Sequence, residues 1–136
     1  MPIHMAPDEG AIHYQKEITD FFAAGSNKIP VFDLVLLGIG TDGHTASLFP
    51  GTSALQEQKK LISTVKDGMP KVNRLTMTYP ILNQAREVVF LASGKGKADI
   101  IQAILEKKQW DLPALGIRPR SGKLLWLLDR GAACLL

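Results

Sequence analysis

The sequence predicts a single α/β domain built on a parallel sheet. Three observations carry that expectation. First, three short apolar runs, Phe32–Gly38, Glu87–Ser93 and Lys123–Asp129, are too short for helices and read as strands buried on both faces. Second, stretches with helical spacing of apolar residues lie between and before them. Third, glycine-containing turns follow the first two runs, at Gly38–Gly43 and Gly94–Lys97. Strands alternating with helices imply parallel strands joined by crossovers. The chain has 136 residues, which fits one domain over 1–136 with a core of its own.

The elements follow in order. Pro7 to Ala24 reads as a helix, because Tyr14, Ile18, Phe21 and Phe22 fall at i, i+4, i+7 and i+8. Pro7, Asp8 and Glu9 suit its first turn and Gly25 its end. Ser26 to Pro30 is a linker, and the strand Phe32–Gly38 follows. A glycine-rich turn then leads into a short helix that carries His44 and is stopped by Pro50-Gly51. Leu61–Val65 is a second strand, and Asp67–Asn73 a loop with Gly68 and Pro70. Arg74–Thr78 alternates and contains two threonines, so it reads as a strand. Pro80–Ala85 is a short helix with proline early in it. After the strand Glu87–Ser93, the Gly94–Lys97 turn opens a helix running to about Lys108, with Ala98, Ile101, Ile104 and Leu105 on its apolar face. Lys123–Asp129 is the last strand, and Arg130–Leu136 begins a helix.

Composition narrows the function classes. Net charge is +3, aromatic residues make up 7%, and no run of basic residues stands out, so nucleic acid is not an expected partner. No apolar run approaches the roughly 18–20 residues of a membrane span. The N-terminus lacks a basic region followed by an apolar core, and a lone cysteine, Cys134, fits a reducing compartment. Together these give a cytoplasmic expectation. A few local lysines and arginines suit a small anionic ligand.

The segment Gly38-Ile-Gly-Thr-Asp-Gly-His44 concentrates the chemistry. It matches G-x-G-x-x-G after a strand, a dinucleotide pattern. The following helix is broken too early for that use, and no strand ends in an acidic residue about 20 positions on. The turn nevertheless lies at the carboxyl end of a buried strand, where open α/β sheets bind ligands. Gly40 and Gly43 would let a ligand approach the backbone. A helix start at His44 would offer free amides and favour the neutral imidazole that a general base requires. Spacing alone leaves two readings of each side chain open. His44 is either a base or a partner of the turn; Asp42 either orients His44, holds a substrate hydroxyl, or caps a helix.

Other strand ends carry cations. Gly94-Lys-Gly-Lys97 is not a Walker A motif, because Ala98 stands where Ser or Thr is needed. As a strand-to-helix turn with two glycines and two lysines it could hold a phosphate, or it could be a solvated loop. Arg74, with Lys71 nearby, opens a strand and suits bidentate phosphate contact, or is a surface strand end. Arg118-Pro-Arg120 has no assigned role. The histidines His4, His13 and His44 have no metal-ligand spacing, and there is no G-x-S-x-G elbow. Ser47 shares a helix face with His44 in this reading, without an acidic partner to complete a triad.

Phe32-Asp-Leu-Val-Leu-Leu-Gly-Ile-Gly-Thr-Asp-Gly-His-Thr-Ala-Ser-Leu-Phe-Pro-Gly51 resembles the signature of 6-phosphogluconolactonases. Arg74–Ala85, Gly94–Ala98 and Leu125–Asp129 resemble three further family blocks, in the same order and spacing. Glucosamine-6-phosphate isomerase/deaminases share the Gly-x-Gly-x-Asp-Gly-His turn, but Ser47–Gly51 resembles the lactonase branch. The resemblance implies a Rossmann-like three-layer parallel sheet with helices on both faces. It implies hydrolysis of a phosphorylated sugar lactone, 6-phospho-D-glucono-1,5-lactone, to 6-phosphogluconate in the oxidative pentose phosphate pathway. His44 would be the base that activates water and Asp42 its support. Lys97 and Arg74 would be phosphate ligands, with backbone donors of the glycine turn at the oxyanion. No metal and no organic cofactor are expected.

Complete family members carry about as much chain again upstream, including a first strand with a Ser/Gly-rich phosphate turn. The resemblance therefore implies a partial domain, the C-terminal half. Strand edges and apolar faces normally covered would then be exposed. A homodimer or a complementing N-terminal half would cover them. A non-catalytic sugar-phosphate-binding remnant and a deaminase-like isomerase are the alternatives.

Overall fold

A computed structural model describes residues 5–23, 28–66, 68, 72–106 and 111–136. The expected helix end at Ala24, the Ser26 end of the linker, Asp67, Lys71 and the 107–110 end of the third helix lie outside them.

Three parallel strands make the main sheet: β1 (Val35–Leu37), β4 (Glu87–Ala92) and β5 (Lys123–Leu128), in the order β1-β4-β5. Leu37 pairs with Phe90 and Phe90 with Trp126, so three strands end at nearly the same height. Two further strands, β2 (Ile62–Val65) and β3 (Arg74–Met77), form a separate antiparallel ribbon. The expectation of one parallel sheet misses this pair. Their connection is short, and parallel pairing needs a crossover of a dozen or more residues.

The core lies on one face of the parallel sheet. Val88, Phe90 and Leu37 are buried there with Ile100, Ile101 and Ile104 of α3 (Ala98–Leu105), and with Leu48, Ala114 and Ile117. Trp126 stacks on Phe90, ring centroids 4.1 Å apart. A second cluster joins α1 (Pro7–Phe21) to the ribbon through Ala11, Ile18, Ile62 and Ile81. Pro7 and the acidic Asp8 and Glu9 fill the first turn of α1 as expected. Of the expected apolar face, Ile18 is buried and Tyr14 and Phe22 pack beside it, whereas Phe21 is 84% exposed and Ala11 is buried in its stead. The Gln15 side-chain oxygen Oε1 accepts the Leu61 amide at 2.8 Å and so fixes α1 to the start of the ribbon.

The other face of the sheet is largely uncovered by the described residues, although Val89 at its centre is buried. Side chains alternate along a strand, which places Leu36, Val89, Leu91, Leu125 and Leu127 together. Leu36 and Leu127 are 58% and 57% exposed, and Leu34, Leu91 and Leu125 are exposed too. β1 is a sheet edge and pairs over three residues instead of the seven expected. A groove of about 370 Å³, lined by Leu34, Leu36, Leu75 and Met77 among others, runs between that edge and the ribbon.

Three further expectations change. The short helix expected to carry His44 is absent; residues 41–51 are turns, with a bridge between Thr45 and Leu48. Ala46 takes φ +51°, a left-handed conformation that no α-helix allows. The short helix after β3, α2, spans Tyr79–Leu82, with proline in its first turn. The tail 130–136 forms turns, not a helix, because its amides return to Asp129, Gly131 and Ala133. No helix among the described residues is long and apolar enough to cross a membrane.

Candidate active site

The turns that follow β1, β4 and β5 sit together at the carboxyl ends of the parallel strands, the usual ligand side of an open α/β sheet. The first of them, 38–44, is held from within. The Gly40 amide donates to the His44 carbonyl at 2.8 Å, and the Gly43 amide to the Gly40 carbonyl at 3.0 Å. Thr45 donates its hydroxyl to the Gly38 carbonyl at 2.8 Å. The Ser47 amide donates to the Thr76 hydroxyl oxygen at 3.1 Å, which ties the loop to β3. These bonds replace the helix expected after His44, so no helix terminus acts on the imidazole.

Asp42 and His44 form a pair. One carboxylate oxygen, Oδ1, lies 2.5 Å from His44 Nδ1 and also accepts the His44 amide at 3.1 Å. A carboxylate only accepts, so Nδ1 carries the hydrogen, and in the neutral ring the free lone pair is on Nε2. Nε2 makes no hydrogen bond among the described residues. Burial raises the Asp42 carboxyl, but the hydrogen bonds from the His44 ring and amide, with the ring's charge, outweigh it and hold it below its ordinary value. Of the three roles left open for Asp42, the contact with the His44 ring fits an orienting group, and without a helix the residue caps nothing.

Gly40 and Gly43 serve the turn by their lack of a side chain. A Cβ on Gly40 would overlap His44 Nδ1, His44 Cε1 and Asp42 Oδ1. Gly43 has φ +79°, and Leu112 packs against it. The close approach expected of a ligand is thus filled at both positions by protein atoms. Their two amides are engaged inside the turn, so they are not free donors for an oxyanion.

The two cations reach the same turn by different routes. Lys97 Nζ donates to the Ile39 carbonyl at 2.8 Å, joining the turn after β4 to the turn after β1. Arg74 lies over the Phe49 ring, 5.1 Å from Cζ to centroid. Phe49 in turn packs on the His44 imidazole, with centroids 4.3 Å apart and planes inclined by 35°. Gly40, Asp42, Gly43 and His44 thus lie in one turn, which Lys97 reaches directly at Ile39 and Arg74 reaches only through Phe49. Ser47 does not share a face with His44, and Arg118 and Arg120 precede β5 at the amino ends of the strands, tied to Asn83.

Sequence reasoning missed two supports. Asp129, just after β5, accepts the Ala132 amide at 2.7 Å and the Gly94 amide at 3.0 Å. These two amides, Ala132 first, hold its carboxyl below the ordinary value. It thereby pins the start of the Gly94–Lys97 turn. The signal available was an acidic residue directly after a buried strand. Phe49 was the other; an aromatic residue beside Leu48 reads as core, and it is also core.

Comparison with known proteins is consistent across sequence and structure. Residues 1–126 match the family described as glucosamine-6-phosphate isomerases/6-phosphogluconolactonase. The 6-phosphogluconolactonase of Homo sapiens is 47% identical over 131 residues, covering 95% of this chain and 50% of the human protein. The structure of 6-phosphogluconolactonase from Trypanosoma cruzi superposes with a TM-score of 0.83 at 33% identity, over 97% of this chain and 54% of that one. A monomeric glucosamine-6-phosphate deaminase is more distant, with a TM-score of 0.70 at 25% identity over 95% and 55%. The chain spans about half the length of the curated relatives it matches. With the strand order, the Asp42–His44 pair and these likenesses in agreement, the chain belongs to the glucosamine-6-phosphate isomerase/6-phosphogluconolactonase family.

Proposed function

We propose that this chain carries the water-activating part of a 6-phosphogluconolactonase site and hydrolyses 6-phospho-D-glucono-1,5-lactone to 6-phosphogluconate in the oxidative pentose phosphate pathway. The observation that carries the reading is the convergence of an oriented imidazole and two cations on one strand-end turn. His44 Nε2 takes a proton from water while the water oxygen bonds to the lactone carbonyl carbon. The tetrahedral intermediate collapses, the bond from that carbon to the ring oxygen breaks, and Nε2 returns the proton to the ring oxygen. Asp42 holds the imidazole in the tautomer this needs. Arg74 and Lys97 hold the phosphate. A lactone is already an activated ester, so one positioned base contributing about 10²–10⁴-fold suffices.

The test is hydrolysis above the spontaneous rate, followed by proton release. His44→Ala is expected to reduce turnover to the spontaneous rate in a chain that still folds. Undiminished turnover in a folded His44→Ala chain sinks the role of His44. The bare sheet face favours a second reading, a sugar-phosphate-binding form without turnover. It predicts stabilisation by 6-phosphogluconate, weakened in Lys97→Ala, with no hydrolysis.

The bare face and the groove beside β1 also support a partner: a polypeptide equivalent to the half of each relative that this chain does not match. Co-expression with that half of the human protein is expected to give a 1:1 complex that shields the outer leucines. A homodimer of this chain alone would replace that partner with a second copy. The free, exposed Cys134 thiol supports a cytoplasmic setting.

A further inference from the structure

We propose that Phe49 is a positioning residue that fixes the plane of the His44 imidazole and couples it to Arg74. The inference rests on the reading of His44 as the base. Beyond its covalent bond at Cγ the ring is held by one hydrogen bond, to Asp42 Oδ1, which leaves it free to tilt by coupled rotation about χ1 and χ2. A flat surface against the ring face removes the rotation. Phe49 supplies it, with centroids 4.3 Å apart. The same ring carries the Arg74 guanidinium, which also donates to the Val72 carbonyl at 3.3 Å, so the base and this cation share one rigid aromatic body.

Phe49 is itself well fixed. It is 7% exposed and belongs to the main core. Its carbonyl accepts the Thr52 hydroxyl at 2.8 Å. Gly68 backs the ring so closely that an added Cβ would lie 2.7 Å from Cδ2 and 3.0 Å from Cε2. The Thr45–Leu48 turn returns the chain so that residue 49 lies beside residue 44. A core phenylalanine would need none of this contact with a polar ring and a guanidinium.

The experiment has a spectroscopic arm and a kinetic arm. Only three histidines are present, so the His44 ring signals are assigned by their loss in His44→Gln. Phe49→Leu is expected to move the His44 carbon-bound ring protons downfield, as the aromatic ring current is lost. As the ring tilts away from Asp42 Oδ1 the hydrogen bond from Nδ1–H lengthens, and the Nε2–H tautomer is expected to gain population in long-range nitrogen spectra. Phe49→Tyr is expected to restore both. Gly68→Ala, which displaces the ring without removing it, should shift the same signals and covers the case in which Phe49→Leu does not fold. In kinetics, Phe49→Leu should lower kcat by about 10–100-fold, as for a misplaced base, and raise KM together with it. A folded Phe49→Leu or Gly68→Ala chain with unmoved His44 signals and an unchanged tautomer overturns the proposal. Absence of turnover in the parent chain would instead count against the lactonase reading, and the spectroscopic arm would still decide on Phe49.

Discussion

Gly40→Ala should separate the geometry of the proposed base, His44, from the stability of the fold. The backbone there is not left-handed, so alanine brings no conformational strain. The difficulty is space. An added Cβ would overlap His44 Nδ1, His44 Cε1 and Asp42 Oδ1, where ordinary contact begins at 3.4 Å. Restoring that distance moves the imidazole by about 1 Å or more and parts it from the carboxylate. Displacement of a reacting group by about 1 Å can cost on the order of 10²-fold in rate. The stability cost should be small, because the colliding atoms belong to side chains that are 30% (His44) and 49% (Asp42) exposed and can swing outward. Gly38→Ala is the control: two residues away, nothing lies within 4 Å of its added Cβ. The assay is lactone hydrolysis with thermal unfolding of each variant. Gly40→Ala should lose about 10²-fold in kcat with an almost unchanged Tm, and Gly38→Ala should lose nothing in either. A Gly40→Ala chain with parental kcat would refute the claim that the Asp42–His44 pair must lie against the turn.

Ala46→Gly should stabilise the fold. Relief of the left-handed alanine is worth about 1–2 kcal/mol, and the added freedom of the unfolded glycine offsets about 0.4–1 kcal/mol of it. Tm should rise by about 2–4 °C in calorimetry. Asp42 makes stability depend on acid. Its folded pKa is lowered, so its contribution is present above the unfolded pKa and is lost as pH falls through the folded value. Unfolding of the parent and of Asp42→Asn should therefore converge toward low pH. Tyr79 behaves in the opposite sense: burial pushes its phenol up to about 12. Stability from Tyr79 is full below the ordinary phenol pKa and declines as pH rises from there through about 12. Ultraviolet titration should show one tyrosine ionising late, and Tyr79→Phe should remove that step.

The parts legible in the sequence are those set by local pattern. Val35–Leu37, Glu87–Ala92 and Lys123–Leu128 lie inside the expected strands, because runs of leucine, valine and phenylalanine of that length have no other stable use. Pro7 and the acidic first turn placed the start of α1 for the same reason. The illegible parts are set by contacts far along the chain. Residues 44–49 have an ordinary helical composition, yet Thr45 bonds back to Gly38 and Ser47 bonds across to Thr76. Neither partner lies within a helical turn of its donor. The antiparallel ribbon is another such case, since the side on which β2 and β3 pair depends on α1 packing over them. In the site, the spacing of Asp42 and His44 was visible and their mutual bond was plausible. That Phe49 would stand between His44 and Arg74 was not, because residues 49 and 74 meet only through the tertiary fold.

The arrangement explains how half a family-length chain can hold the groups of the proposed site together. Asp42, His44 and Lys97 follow the ends of adjacent parallel strands, and Arg74 comes from β3 of the ribbon; this chain has all of these elements. The bond from Lys97 to Ile39 ties the end of β4 to that of β1. The bonds from Gly94 and Ala132 to Asp129 tie the end of β4 to that of β5. None of these ties runs through Leu36, Leu91, Leu125 or Leu127, which lie on the outer face. What covers the outer face should therefore govern how much of the chain is folded, through removal of apolar area from water. The orientation of His44 in the folded molecules should change little. Polar substitutions such as Leu36→Ser or Leu127→Ser would then raise the solubility of the isolated chain and weaken its complex with the complementing half. Through both changes the His44 ring signals should stay where they are. Movement of those signals with the outer face would mean that the strand ends are not self-supporting, and that base and cover form one cooperative unit.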